Sequence, residues 1–240
     1  MGHGWEGVVL KLMRGKDFTF TVTGAEQVTE NYQRVRLSDG GMLARTGVHP
    51  TMWVRVWFGN AGKPHQRAYT LVDPDPVAGT FSLEFALHDG PASDWARAAR
   101  LGDTVDATLQ GTGFTAPEPP PGRLLVVADP ASLPAVNSLL DAFPGVPATL
   151  WFETAGDGDE ELPLRVDPAC HEVRRVPRED AGRRLVAEVT EALPGVLAGC
   201  ADPYLWIACD TVTTRALSGF ARKELGIAKD RINALGYWRP

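Results

Sequence analysis

Two rhythms of hydrophobic and polar positions divide this chain. FTFTVTGAEQVTENYQRVRL (18–37) shows runs of β-branched and aromatic residues broken by turn formers, and in TMWVRVWF (51–58) and GTFSLEFAL (79–87) apolar residues return at every second position. That period puts one set of side chains on one face of a strand and predicts half-buried β-strands. Their β-branched and aromatic content agrees with this. With LGDTVDATL (101–109) as one further strand, about six short strands joined by turns predict an antiparallel Greek-key β-barrel.

The rhythm changes after APEPPPG (116–122), whose prolines neither continue a strand nor open a helix without cost. Beyond it, RLLVVAD (123–129), ATLWFET (148–154), HEVRRVP (171–177) and YLWIACD (204–210) read as strands. Between and after them, LPAVNSLLDAF (133–143), RRLVAEVTEAL (183–193) and TTRALSGFARKELG (213–226) read as helices. Strands alternating with helices predict a parallel sheet with right-handed crossovers, covered on both faces. The expected fold class is therefore a two-domain β plus α/β protein. A barrel domain spans 1–115, a proline-rich linker 116–122, and an α/β domain with a parallel sheet 123–240.

Composition narrows the function. At 240 residues and 44% hydrophobic content, the chain can bury two cores. A formal net charge of −6 argues against a nucleic-acid partner, which calls for a basic footprint. Cys170, Cys200 and Cys209 are odd in number and widely spaced, which excludes a disulfide framework and a cysteine-held metal centre and points to free thiols in a reducing compartment. The first residues show no secretory pattern and no run reaches membrane-spanning length, so a cytoplasmic protein without a membrane partner is expected.

The densest chemistry lies in RAYTL (67–71) and FALHDGPASDWA (85–96). The first ends a strand with an arginine beside an aromatic ring and a hydroxyl. The second reads as a strand, a turn set by Gly90 and Pro91, and a helix start carrying Ser93. A helix N-terminus offers unpaired N–H groups and the positive end of a dipole, and Arg67 adds a permanent charge with a fork of donors. Together they predict an anion site. Taken singly, the same residues have plainer readings: Arg67 and Tyr69 as a surface pair, His88 as a structural histidine, Trp95 as core.

The order and spacing of these motifs resemble the siderophore-interacting flavoproteins, a branch of the ferredoxin–NADP reductase superfamily. RAYT resembles that family's first flavin motif and EFALHDGPASDWARAARLGD (84–103) its second. DPASLPAVNSLL (129–140) resembles the segment that opens its second domain, and GYW (236–238) its closing aromatic motif. The resemblance implies FAD as cofactor, held by Arg67, Tyr69, Thr70, Leu71, Phe85, Ala86, Leu87, His88, Pro91, Ala92, Ser93 and Trp95, with Tyr237 and Trp238 beside the flavin. It also implies a cleft between domains for an electron donor, NAD(P)H or reduced ferredoxin, and for a ferric siderophore. No metal site is expected of the protein itself.

In a parallel sheet, ligands gather at the carboxyl ends of strands. Asp129, Pro130 and Ser132 follow the first such strand, where the family more usually has a glycine before the aspartate and a donor-bearing residue after it. Pro130 has no N–H, so either one contact to a nicotinamide is lost or the proline simply starts the helix. Cys209 and Asp210 replace a Gly-Glu pair at another strand end, and Cys209 is read either as facing a ligand or as a small buried residue. No G-x-G-x-x-G follows a strand. Arg215 is available for the 2′-phosphate of NADPH, or simply suits its helix. Arg174, Arg175 and Arg178 are candidates for a basic patch that receives an anionic chelate, although alternation would turn Arg174 and Arg175 to opposite faces.

The reading is an FAD-dependent oxidoreductase that reduces a ferric siderophore and releases Fe(II), with the flavin carrying the chemistry and no catalytic side chain required. Two alternatives stay open: a flavin-holding scaffold or biosynthetic enzyme for another small molecule, and a flavin reductase.

Overall fold

The computed structural model describes residues 15–60, 63–156 and 158–240. The chain divides into two compact units, Met1–Phe114 and Thr115–Pro240.

The first unit is an antiparallel half-barrel. Its elements are β1 (Lys16–Thr29), β2 (Tyr32–Ser38), α1 (Met42–Thr46), β3 (Trp53–Asn60), β4 (Lys63–Thr70), β5 (Val72–Asp75), β6 (Thr80–Ala86), α2 (Pro91–Ala98) and β7 (Thr104–Leu109). The strands follow the order β4-β3-β7-β1-β2-β6-β5. The period-two pattern sets the core: Phe18, Phe20 and Val22 of β1, Val54, Val56 and Phe58 of β3, and Phe81, Leu83 and Phe85 of β6 are buried together. β1 serves two neighbours, pairing β7 through its first half and β2 through its second. A register shift between Val22 and Gly24 marks the change, as a bulge does where a strand turns a barrel corner. Glu84 breaks the alternation and is buried, but Tyr32 Oη (3.0 Å) and Arg34 Nη2 (2.5 Å) both donate to its carboxylate, which removes the penalty of an unpaired charge.

The second unit contains β8 (Arg123–Ala128), α3 (Leu133–Ala142), β9 (Ala148–Thr154), β10 (His171–Pro177), α4 (Arg183–Leu197), β11 (Pro203–Ala208), α5 (Thr211–Lys223) and β12 (Ile232–Ala234). All five strands are parallel, in the order β10-β9-β8-β11-β12. Leu125 and Val127 of β8 and Leu205 and Ile207 of β11 pack with Leu185, Val189 and Leu193 of α4 and Leu217 of α5. Leu124 and Val126 point to the opposite face and are equally enclosed, which is why β8 reads as an unbroken apolar run. Arg231, nearly buried, donates to the carbonyls of Pro119, Asp202 and Pro203 at 2.5, 2.6 and 3.0 Å. It thereby ties the proline-rich segment to the sheet. No helix among the described residues is long and apolar enough to cross a membrane. The three cysteines are free, with Cys209 buried.

Candidate functional site

In the half-barrel unit, the two motifs converge. Tyr69 on β4 lies 4.4 Å from Phe85 on β6 between ring centroids, and Phe85 lies 5.8 Å from Trp95 on α2. Phe58 touches Trp95 at 5.6 Å and completes the cluster. Trp95 is thus packed into the core edge, and burial raises the Tyr69 hydroxyl above its ordinary range, slightly offset by the Arg67 charge. Arg67 and Tyr69 share one face of β4. Arg67 is exposed, donates only to the Gln66 carbonyl at 2.9 Å, and has no carboxylate partner among the described residues. Thr70 and Leu71 are buried, and Leu71 N–H donates to Met52 O at 2.8 Å.

The β6 strand ends at Ala86. Leu87 N–H donates to Asn31 O, and His88 N–H donates to Ser93 Oγ at 3.1 Å, so the Ser93 side chain staples strand exit to helix start. The His88 ring turns back on its own turn, 2.7 Å from Asp89 O. Gly90 stands at φ 142, a conformation costly for any residue with a Cβ. Pro91 occupies the first helical position, and no side chain caps α2. The first-turn N–H groups of Ala92 and Ser93 therefore have no protein acceptor among the described residues. Open N–H groups and an uncommitted guanidinium are the donor set that a pyrophosphate requires.

The α/β unit brings a second set together at its strand exits. Asp129 follows β8, Glu153 ends β9, Arg178 follows β10, and Cys209 and Asp210 follow β11. Asp129 caps the short turn 130–132 in a reciprocal box with Ser132: each backbone N–H donates to the other's side chain, at 3.2 and 3.1 Å. Pro130 sits at the first position of that turn, where a missing N–H has no helical partner to lose. Asp210 caps α5, accepting from the N–H groups of Val212 (2.8 Å) and Thr213 (2.9 Å) and from Thr213 Oγ1 (2.8 Å). Arg178 donates to Glu153 Oε2 and, at 3.4 Å, to Asp210 Oδ2, while its guanidinium lies 4.8 Å from the Trp238 ring centroid.

GYW closes this set. Tyr237 N–H donates to Cys209 O (2.8 Å), and Trp238 O accepts from Thr211 N–H (2.9 Å). Trp238 Nε1 donates to Asp129 Oδ2 at 2.7 Å. The glycine is needed because a Cβ at residue 236 would stand 2.6 Å from Thr211 Cγ2 and 3.0 Å from its Cα.

Burial pushes the Asp129 carboxyl up to about 7, against the opposing pull of the Trp238 bond and helped by the Glu153 charge. Burial also raises Glu153, partly offset by Arg178. For Asp210 burial acts upward, but the bonds from Thr213 and Val212 and the Arg178 charge outweigh it and hold the group below its usual range. Cys209 is raised strongly by burial and by the three carboxylates.

The three arginines of the expected basic patch are not gathered in one place. Arg174 pairs with Glu172 at 2.8 Å and stacks over Trp151, Arg175 donates to Glu160 O at 3.2 Å, and Arg178 is held by carboxylates. Glu153 was not anticipated; its only signal was a charged residue at the end of an apolar strand. Among the described residues no group of three or more His, Cys, Asp or Glu side chains is arranged to hold a metal ion.

A half-barrel followed by a parallel α/β unit, with the two motifs of the half-barrel meeting through Tyr69, Phe85 and Trp95, is the ferredoxin reductase-like two-domain fold. Family models agree: the siderophore-interacting FAD-binding domain matches residues 43–111 and the siderophore-interacting protein family residues 121–240. The chain belongs to the siderophore-interacting protein family. It is 33% identical over 99% of its length to the mycobactin import ATP-binding/permease protein IrtA of Mycolicibacterium thermoresistibile, spanning about a quarter (26%) of that protein. It is 23% identical, over 79% of its length and 67% of the relative's, to a ferric acinetobactin reductase of Acinetobacter baumannii. The solved siderophore-interacting protein from Acinetobacter baumannii shares the fold, with a TM-score of 0.78, 19% identity, and coverage of 93% of this chain and 91% of that one.

Proposed function

We propose that this chain is an FAD-dependent oxidoreductase that reduces a ferric siderophore and so releases Fe(II). The observation that carries the reading is the donor set at the half-barrel's edge: Arg67 without a carboxylate partner, and the uncapped N-terminus of α2. The FAD-binding family match and the ferric reductases among the relatives support it. Arg67 and the N–H groups of Ala92 and Ser93 would hold the pyrophosphate. Tyr69 and Thr70 would set the ring's position, and Leu71, Phe85, Ala86, Leu87, His88, Pro91 and Trp95 form the wall and turn behind them. Bound FAD supplies electron transfer, taking electrons in pairs and passing them singly. Fe(III) is bound tightly by hard oxygen ligands, and reduction to Fe(II) weakens that binding. For the electron donor the reading names NAD(P)H. Solved structures of similar fold include a ferredoxin–NADP+ reductase from Neisseria gonorrhoeae with bound FAD and NADP. Pro130 at the first position of its turn and the buried Cys209 support the plainer readings of both departures, a helix start and a small core residue.

Stopped-flow reduction of the FAD-loaded protein by NADH, NADPH or reduced ferredoxin, with and without a ferric siderophore, tests the proposal. Fast reduction by a nicotinamide followed by reoxidation on adding the chelate supports it; reduction with no response to any ferric chelate refutes it. Arg67→Ala should weaken FAD binding by about 1.5–3 kcal/mol, the worth of a charged hydrogen bond, or roughly ten- to hundredfold in Kd. Full FAD retention in that variant counts against the site.

A further inference from the structure

Backbone hydrogen bonds fix where residue 238 lies, but not which way its indole turns. Leu235 N–H on Ile207 O, Tyr237 N–H on Cys209 O and Thr211 N–H on Trp238 O, all at 2.8–2.9 Å, lay segment 235–238 along the exit of β11. Two side-chain contacts orient the ring. Arg178 covers one face, and Asp129 Oδ2 takes the N–H edge at 2.7 Å. Asp129 is itself immobile: it is 2% exposed, its other oxygen accepts from Ser132 N–H, and its own N–H donates to Ser132 Oγ. Beside it, Glu153 is 1% exposed, with one oxygen on Arg178 and Oε1 buried without a partner.

We propose that Asp129 is the positioning residue for Trp238, its carboxyl holding the indole in one orientation across the strand exits, with the strength of that hold set by the proton Asp129 gains or loses. The physical reason is that an N–H···O bond to an ionised carboxylate is about twice as strong as one to a neutral acceptor. Of the charged groups at the neighbouring exits, Glu153 from β9 acts on this proton directly, Arg178 after β10 pairs with Glu153 and Asp210, and Cys209 after β11 is raised by the same carboxylates. Glu153 opposes ionisation of Asp129. The hold is therefore firm above the Asp129 midpoint and slack below it. The redox consequence rests on the proposed function: if Trp238 lies beside the flavin, the donor reaction should follow the same proton.

The test is the indole N–H resonance of Trp238 in protein labelled with ¹⁵N-tryptophan, assigned by its disappearance in Trp238→Phe. Between pH 5 and 9 the wild-type signal should move with a midpoint near 7, and its protection against exchange, relative to a free indole at the same pH, should rise at least tenfold across that range. In Asp129→Asn the signal should lose its titration while staying shielded. Glu153→Gln should shift the midpoint downward and, by sparing Asp129, guards against a variant that fails to fold. A folded wild type whose Trp238 resonance is flat from pH 5 to 9, or exchanges as fast as a free indole, overturns the proposal. Flavin emission of the FAD-loaded protein separates this from the functional reading. Emission that titrates with the indole supports both; an indole that titrates while emission stays flat supports the positioning role and removes Trp238 from the flavin's side.

Discussion

Replacing Arg178 by leucine gives the sharpest test of what the strand-exit cluster is for. The side chain is 18% exposed and faces carboxylates that are 2% and 0% exposed, those of Glu153 and Asp210. Removing one partner of a buried ion pair leaves an uncompensated charge, at a typical cost of about 3–5 kcal/mol. Asp210 keeps three other donors, so most of the loss should come from Glu153, whose Oε1 already lacks a partner. The sign with pH follows. Without the cation, the Glu153 pKa rises further in the folded state, so folded protein holds its proton over a range where unfolded protein has released it. Stability of Arg178→Leu should therefore fall as pH rises above the ordinary carboxylate range, with the smallest deficit at acid pH. Hydrogen exchange of the β8 and β11 amides measures the unfolding free energy of the α/β unit alone, and Arg178→Leu/Glu153→Leu should recover part of the loss. A drop below about 1 kcal/mol, accompanied by weaker binding of a ferric chelate, would refute this reasoning and return Arg178 to a ligand-facing role.

Two further outcomes follow from the same segment. A rise of the Asp129 pKa from 3.8 to about 7 makes ionisation cost the fold about 4 kcal/mol: stability is lost as pH rises between those values, and Asp129→Asn should flatten that slope in urea unfolding measured at pH 4 and pH 8. Gly236→Ala should cost about 1–3 kcal/mol of strain, because the new methyl meets Thr211, and should broaden the Trp238 indole resonance; Thr211→Ser in the same chain should restore part of both, and an unchanged melting temperature for Gly236→Ala would contradict the close approach.

Most of the architecture was legible because period two and the strand–helix alternation are properties of contiguous residues. The elements that escaped are short: α1 has five residues, β5 four and β12 three, too few to show a period. The strand-to-helix turn at Gly90 and Pro91 was legible for a similar reason, since a glycine, a proline and a serine at such a turn encode a helix N-terminus locally. The strand exits were not. Arg178 read as part of a basic run in HEVRRVPRED because its partners, Glu153 and Asp210, lie 25 and 32 residues away. Trp238 read as a flavin neighbour, and nothing in the local sequence announces a bond to Asp129 across 109 residues. Asp210 was picked out as a ligand position, and its cap on α5 depends on a helix that starts one residue later.

Because Asp129, Glu153, Arg178, Asp210 and Trp238 come from five separate strand exits, each is free to mutate alone, yet the loss of Arg178 or Trp238 leaves a buried carboxylate without its donor. A lineage that drops Arg178 retains a fold-threatening charge unless Glu153 changes with it, and one that drops Trp238 strands the Asp129 carboxyl. Among descendants of this sequence, these positions should be inherited as a block: replaced together or kept together, drifting in step while the loops between them diverge.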